Sequence, residues 1–102
     1  KEGTIKAWKK HLQMTLNLIV PMGEISFIIF DDRGGSSSKG EFMEVKLSLN
    51  NYQRLTVPPG LWVGFKGIGE QTNLLLNIAN MEHNPEEIER KEIEEIHYNF
   101  HI

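Results

Sequence analysis

Turn chemistry constrains this chain more than any other feature. From Met14 to Ala79, short runs of β-branched, leucine and aromatic residues give way about every ten residues to Gly, Pro, Asn, Asp or Ser. No stretch sustains the apolar spacing of an amphipathic helix. Strands are expected at Met14 to Val20, Glu24 to Phe30, Phe42 to Leu47, Leu55 to Val57, Leu61 to Phe65 and Asn73 to Ala79. The last is nearly all apolar and reads as central. Met22-Gly23 reads as a tight connection that makes a hairpin of the first two strands. DDRGGSSSKG, from Asp31 to Gly40, is a loop, Asn50-Asn51 a turn, and Pro58-Pro59-Gly60 a rigid corner. After Pro85, Glu86 to Glu89 reads as one helical turn capped by Asn84. Ile96, Tyr98, Phe100 and Ile102 alternate with His97, Asn99 and His101 as a final strand. The pattern predicts an all-β sandwich or barrel of about eight strands with little helix, in a single domain over residues 1–102.

Composition narrows the function classes. With 102 residues the chain allows one core and excludes a paired Rossmann unit or a TIM barrel. Without cysteine there is no disulfide, thiolate metal site or cysteine nucleophile, which is compatible with the cytoplasm. A net charge of −3 and a pI of about 5.8 speak against nucleic acid as a partner. The longest apolar runs, Leu18 to Met22 and Ser26 to Phe30, fall far short of the roughly 20 residues that span a bilayer, so no membrane partner or secretory leader is expected. Lys1, Lys6, Lys9 and Lys10 crowd the start and suit one or two phosphates. The acidic run from Glu86 to Glu95 reads as a solvated face.

Lys9-x-His11-x4-Leu16-x6-Gly23 has the spacing of the first cupin motif, H-x-H-x4-E-x6-G, and Pro58-Pro59-Gly60-Leu61-Trp62-Val63 that of the second, P-x-G-x-x-H. Of the four ligand positions only His11 holds a donor. One imidazole beside an ammonium and two hydrocarbons does not hold zinc or iron, so no metal and no cofactor are expected. Two further blocks are more specific: Asp31, Arg33, Ser36 and Gly40 in a D-x-R-x-x-S-x-x-x-G pattern, and Leu47, Ser48, Asn51, Leu55, Val57, Pro58, Pro59, Gly60, Gly64 and Phe65. From Ile5 to about Arg90 the chain resembles the dTDP-4-dehydrorhamnose 3,5-epimerase family of metal-free cupins. The resemblance implies a double-stranded β-helix or jelly roll, a nucleotide-linked sugar as ligand, a role in surface polysaccharide synthesis and a homodimer pairing through an N-terminal segment that this chain lacks in part.

The same resemblance places the family's catalytic residues on unlike side chains. Its R-G-x-H becomes Lys6-Ala7-Trp8-Lys9, so Lys9 stands at the base position; the family's Lys falls at Leu16 and its Tyr at about Leu76. The orienting Asp has no evident counterpart. An ordinary Lys, with a pKa near 10.4, is protonated at neutrality and makes a poor base. His11, two residues along the strand, is the better candidate. Lys9, His11, Gln13, Thr15 and Asn17 are expected to form a polar row toward the barrel lumen. Catalytic candidates are therefore His11 and Lys9; ligand-binding candidates are Lys6, Gln13, Arg54 and Trp62. Tyr52 and Tyr98 are acids by residue type alone.

Competing readings make Lys9 and Lys10 edge charges, His11 a surface histidine and Trp62 a packing residue. The leading function is a sugar-nucleotide-binding cupin with the family's double epimerisation weak or absent. The alternatives are an active nucleotide-sugar isomerase with a rearranged catalytic set of Lys9 and His11, and a non-enzymatic interaction module.

Overall fold

The computed structural model describes residues 5–70, 72–79 and 84–100. Its strands are β1 (Ile5–His11), β2 (Leu16–Met22), β3 (Glu24–Phe30), β4 (Phe42–Ser48), β5 (Leu55–Val57), β6 (Trp62–Gly67), β7 (Leu74–Asn77) and β8 (Ile88–Arg90). All pair antiparallel, in a five-stranded sheet of order β4-β3-β6-β1-β8 and a three-stranded sheet of order β5-β2-β7. The all-β expectation holds. Among the described residues helix is confined to single 3-10 turns at Pro85–Glu87 and Ile93–Glu95. Among the described residues no helix is long and apolar enough to cross a membrane.

Alternation along the strands builds two cores. Leu16, Leu18 and Val20 of β2 face Ile25, Phe27 and Ile29 of β3, and with Leu47, Val57 and Val63 they fill the space between the sheets. The other face of the larger sheet carries Trp8, Ile28 and Trp62, and Ile96 and Phe100 close over them. β3 is thus buried on both sides, which explains its apolar run from Phe27 to Phe30.

Four expectations change. β2 and β3 do not form a hairpin: β3 lies between β4 and β6, so Gly23 carries the chain from one sheet to the other. Asn73 ties that corner, its Oδ1 accepting the Glu24 N–H at 2.8 Å. The apolar run at β7 is not central. It forms an edge of the smaller sheet, with Leu74, Leu76 and neighbouring Ile78 exposed. Ile96 to Phe100 is not a strand; the buried residues Ile96 and Phe100 are four apart, because the segment serves to cover the tryptophans rather than to extend a sheet. Finally, the helical turn expected at Glu86 to Glu89 spans Pro85–Glu87 instead, with the Asn84 side chain accepting the Glu86 N–H at 3.1 Å, and the next residues form β8. Lys1 of the basic cluster and His101 and Ile102 of the expected final strand lie outside the described residues.

Candidate active site

A β-bulge builds the first part of the site. Lys6 lies opposite Phe65 and Lys9 opposite Val63, so three steps along β1 match two along β6. In an unbulged strand residues 6 and 9 would face opposite ways. The extra residue brings both lysines to the space between the sheets and sends Trp8 into the far core. Gly64 of β6 makes room: a Cβ there would stand 2.9 Å from the Ala7 Cβ and 3.1 Å from the Trp8 ring.

His11 ends β1 and is held from three directions. Its register partner on β8 is Ile88. Its carbonyl accepts the Gly60 N–H at 2.7 Å, and Gly60 takes a φ of +91° that favours glycine at this Pro-Pro-Gly corner. Its Nδ1 lies 2.8 Å from Glu87 Oε2 and 3.2 Å from Oε1. Glu87 is 4% exposed, and its Oε1 also accepts the Met14 N–H at 3.0 Å. The acidic run is therefore not wholly a solvated face. One member turns inward because Pro85 and the Asn84 cap start a tight turn whose end meets β1, where the Leu12 N–H bonds the Glu87 carbonyl at 2.8 Å. Sequence reasoning missed Glu87, which lies 76 residues from His11; the Asn84-Pro85 signal located its turn but not its partner.

A cavity of about 760 Å³ opens between the sheets beside His11. Leu16, Leu18, Phe27, Val63, Phe65 and Leu75 give it an apolar wall, and Lys6, Lys9, His11, Asn77 and Arg90 supply polar groups. Lys91, Glu92 and Glu95 also border it. Among the described residues Lys6, Lys9 and Arg90 have no carboxylate within ion-pair distance, whereas Lys10 pairs with Asp32 and Glu89. No three His, Asp or Glu side chains converge as metal ligands among the described residues.

The structure thus brings Lys6, Lys9 and His11 together and leaves the other candidates elsewhere. Gln13 is exposed, because the chain bends after His11 and the alternation loses phase before β2. The expected polar row therefore breaks. The lumen side of β2 is Leu16, Leu18 and Val20, while Asn17 faces outward, accepting from Thr56 Oγ1 at 2.9 Å. Arg54 is exposed ahead of β5 and does not line the cavity. Trp62 is buried on the far face, where its indole N–H donates to Asp32 at 2.9 Å and the Lys10 ammonium lies 4.8 Å from its ring centre. Neither phenol lines the cavity. Tyr52 is exposed, and Tyr98 packs on the far face beside Glu44, where burial and then the carboxylate charge push its phenol up. Leu16 lies in the cavity wall; Leu76 turns outward and Leu75 faces in.

No protein-family model matches the chain. The probable low-salt glycan biosynthesis epimerase Agl13 of Haloferax volcanii is 36% identical over 76 residues, covering 74% of this chain and 49% of that protein. The crystal structure of a dTDP sugar isomerase from Desulfovibrio desulfuricans superposes with a TM-score of 0.85 at 36% identity, over 87% of this chain and 57% of that one. That of dTDP-4-dehydrorhamnose 3,5-epimerase from Bacillus anthracis, with TDP and PPi bound, shares the fold with a TM-score of 0.79 at 22% identity, over 88% and 53%. The resemblance to the dTDP-4-dehydrorhamnose 3,5-epimerases stands. The chain has their cupin jelly roll and spans about half the length of the curated relative, 49%.

In this epimerase-like cupin the block at Asp31, Arg33, Ser36 and Gly40 is a scaffold outside the cavity. The Asp31 carboxylate accepts from Arg33 Nε and Nη2 at 3.0 Å each, from the Arg33 backbone N–H at 2.9 Å, and from the Ser36 and Ser38 hydroxyls. The Gly40 N–H closes the loop on the Asp31 carbonyl at 2.6 Å. The Arg33 side chain, followed by Ser36, Ser38 and the Arg33 N–H, holds the Asp31 carboxyl far below the usual carboxylate range. The Arg33 stem also sits against Gly60, where a Cβ would meet its Cδ at 3.2 Å. The loop therefore abuts the corner that bonds the His11 carbonyl.

Proposed function

We propose that the chain binds a nucleotide-linked 4-keto sugar in the cavity and transfers a single proton next to the ketone through His11, with the double epimerisation of the epimerase family weak or absent. One observation carries this reading: Lys6, Lys9 and Arg90, without carboxylate partners among the described residues, share a largely apolar cavity with a hydrogen-bonded histidine. The two lysines suit a diphosphate as point charges and Arg90 as a planar fork of donors, and the apolar wall suits the deoxysugar or the base. Proton abstraction breaks the C–H bond beside the ketone, moves the proton to His11 and leaves the electron pair as an enolate. The Lys9 ammonium, a poor base, is placed to stabilise that oxyanion. Return of the proton from His11 to the same carbon re-forms the ketone, so His11 alone exchanges a proton without inverting that carbon. The family's other catalytic positions, Leu16 and Leu76, offer no proton.

The setting is read as glycan or polysaccharide synthesis, supported by the likeness to a glycan biosynthesis epimerase. A homodimer is supported by exposed Leu74 and Leu76 on an edge strand and Ile78 just beyond it; a sedimentation mass of one chain at micromolar concentration rules it out. The ligand is tested by thermal shift with thymidine diphosphate and with a 4-keto thymidine diphosphate sugar. A ligand at 100 times its Kd raises stability by about 2.7 kcal/mol. Lys6→Ala weakens binding about fivefold, the scale of one exposed charge contact. No shift with either compound defeats the reading.

A further inference from the structure

We infer that Glu87 is the positioning residue of this site: it holds neutral His11 in the tautomer protonated at Nδ1, leaving Nε2 as the basic nitrogen available to the cavity. The inference rests on the proposed proton transfer for its consequence but on the geometry alone for its substance.

The Glu87 carboxylate has two jobs, and they fix each other. Oε1 accepts the Met14 N–H at 3.0 Å, a donor that has no choice of direction. Oε2 lies 2.8 Å from His11 Nδ1. An ionised carboxylate only accepts hydrogen bonds, so the proton of that contact belongs to Nδ1. Nε2 then carries the lone pair. It has no partner among the described residues, and His11 lines the cavity. Glu87 is itself 4% exposed, and its contact with the Met14 N–H is buried, so water has little access to its carboxylate. The backbone adds rigidity: the Leu12 N–H to Glu87 carbonyl bond and the Gly60 N–H to His11 carbonyl bond pin both residues. A carboxylate that merely stabilised the fold would be satisfied by Met14 and solvent and would set no direction for an imidazole.

Glu87→Gln separates the two roles. The Met14 N–H requires an oxygen opposite it, so the Gln carbonyl turns to Met14 and the amide NH2 faces His11 Nδ1. The NH2 donates, Nδ1 must accept, and the ring proton moves to Nε2, where it blocks the base. The fold keeps its Met14 contact while the tautomer inverts.

Nitrogen-15 NMR of the ring nitrogens, on the chain without ligand, reads this directly. The expected result for neutral His11 is a protonated Nδ1 in the wild type and a protonated Nε2 in Glu87→Gln. A wild-type ring protonated at Nε2 overturns the inference, as does a tautomer unchanged by Glu87→Gln. The functional readout is solvent deuterium incorporation into a 4-keto thymidine diphosphate sugar, with binding of thymidine diphosphate as control. Glu87→Gln is expected to lower exchange at least a hundredfold, within the range of general-base losses, with Kd changed less than twofold. Equal exchange in both proteins overturns the inference while the proposed function stands. A wild type that binds no such sugar defeats the proposed function, and the ring tautomer then decides this inference by itself.

Discussion

Among the described residues two carboxylates lie buried, Asp31 at 5% exposure and Glu87 at 4%, and their partners set them apart. Asp31 is surrounded by donors from its own loop: a guanidinium, two hydroxyls and a backbone N–H, all within seven residues. Glu87 reaches across the fold to one backbone N–H and one imidazole, 73 and 76 residues away. The first arrangement saturates a charge with fixed donors and closes a loop. The second leaves a ring with one nitrogen committed and the other free to exchange a proton. Burial alone does not distinguish a structural carboxylate from a functional one. What distinguishes them is whether a partner is a side chain that can take up and return a proton at a nitrogen left open to the cavity.

The largest effect that tests this contrast is on proton exchange. His11→Gln keeps a donor for the Glu87 carboxylate and removes the base, so exchange into a 4-keto nucleotide sugar is expected to fall about 10²- to 10⁴-fold. Ser38→Ala takes one hydroxyl from Asp31 and is expected to leave exchange unchanged. Lys9→Ala is expected to cost less than His11→Gln, since Lys9 stabilises charge rather than carrying the proton. If Lys9→Ala abolishes exchange and His11→Gln does not, the base is Lys9 and the contrast between the carboxylates loses its functional side.

How far the sequence discloses this arrangement depends on the range of the interaction. The Asp31 loop was legible as a motif because all its partners are local, and Pro58-Pro59-Gly60 was legible because proline and glycine dictate backbone angles where they stand. Strands with one buried face were legible for the same reason. The pairing of β2 and β3 was not, since Leu16, Leu18 and Val20 point inward in a hairpin and in two facing sheets alike. Parity held from Lys9 to His11 and failed after β1, where a bend shifts the phase before β2; the bulge opposite Gly64 turns Lys6 to the side of Lys9, which strand alternation does not foresee. Glu87 looked like its neighbours Glu86 and Glu89. Only the return of the chain to β1 distinguishes it.

A middle-sized effect is on stability. Glu87→Leu leaves the Met14 N–H buried without its acceptor, a cost of about 1–3 kcal/mol, or a Tm lower by about 5–15 °C in a domain of this size. Glu87→Gln retains that acceptor and is expected to stay within about 1 kcal/mol of wild type. The two variants thus divide the residue's work: one loses fold and exchange, the other exchange alone. Thermal melts at pH 7 measure it. Equal Tm values for Leu and Gln would mean that the Met14 contact carries no weight and that Glu87 acts on His11 only.

The smallest effect separates the carboxylates by pH. Hydrogen bonds from Arg33, Ser36 and Ser38 hold the native Asp31 carboxyl far below the usual carboxylate range, and the same contact holds the Arg33 guanidinium up. In the unfolded chain Asp31 protonates near pH 3.9, the ordinary value. The unfolded state therefore binds a proton in a window where the native state does not, and stability from this group falls as pH falls through that window. Above it the contribution is complete; within it the contribution drains as pH falls toward the depressed native value, and below that value it is gone. Asp31→Asn removes the titration and keeps the side chain's shape. The Tm difference between wild type and Asp31→Asn is therefore expected to be constant from pH 7 to pH 5 and to shrink from pH 4 to pH 2. Exchange at pH 7 stays as in wild type, because no residue of the loop lines the cavity. A difference that holds constant down to pH 2 would show that the loop is closed by its backbone bonds from Gly40 and Glu41 rather than by the charge. A loss of exchange in Asp31→Asn would show instead that Arg33, through its packing on Gly60, steers the corner that holds His11, and the division between scaffold and site would have to be redrawn there.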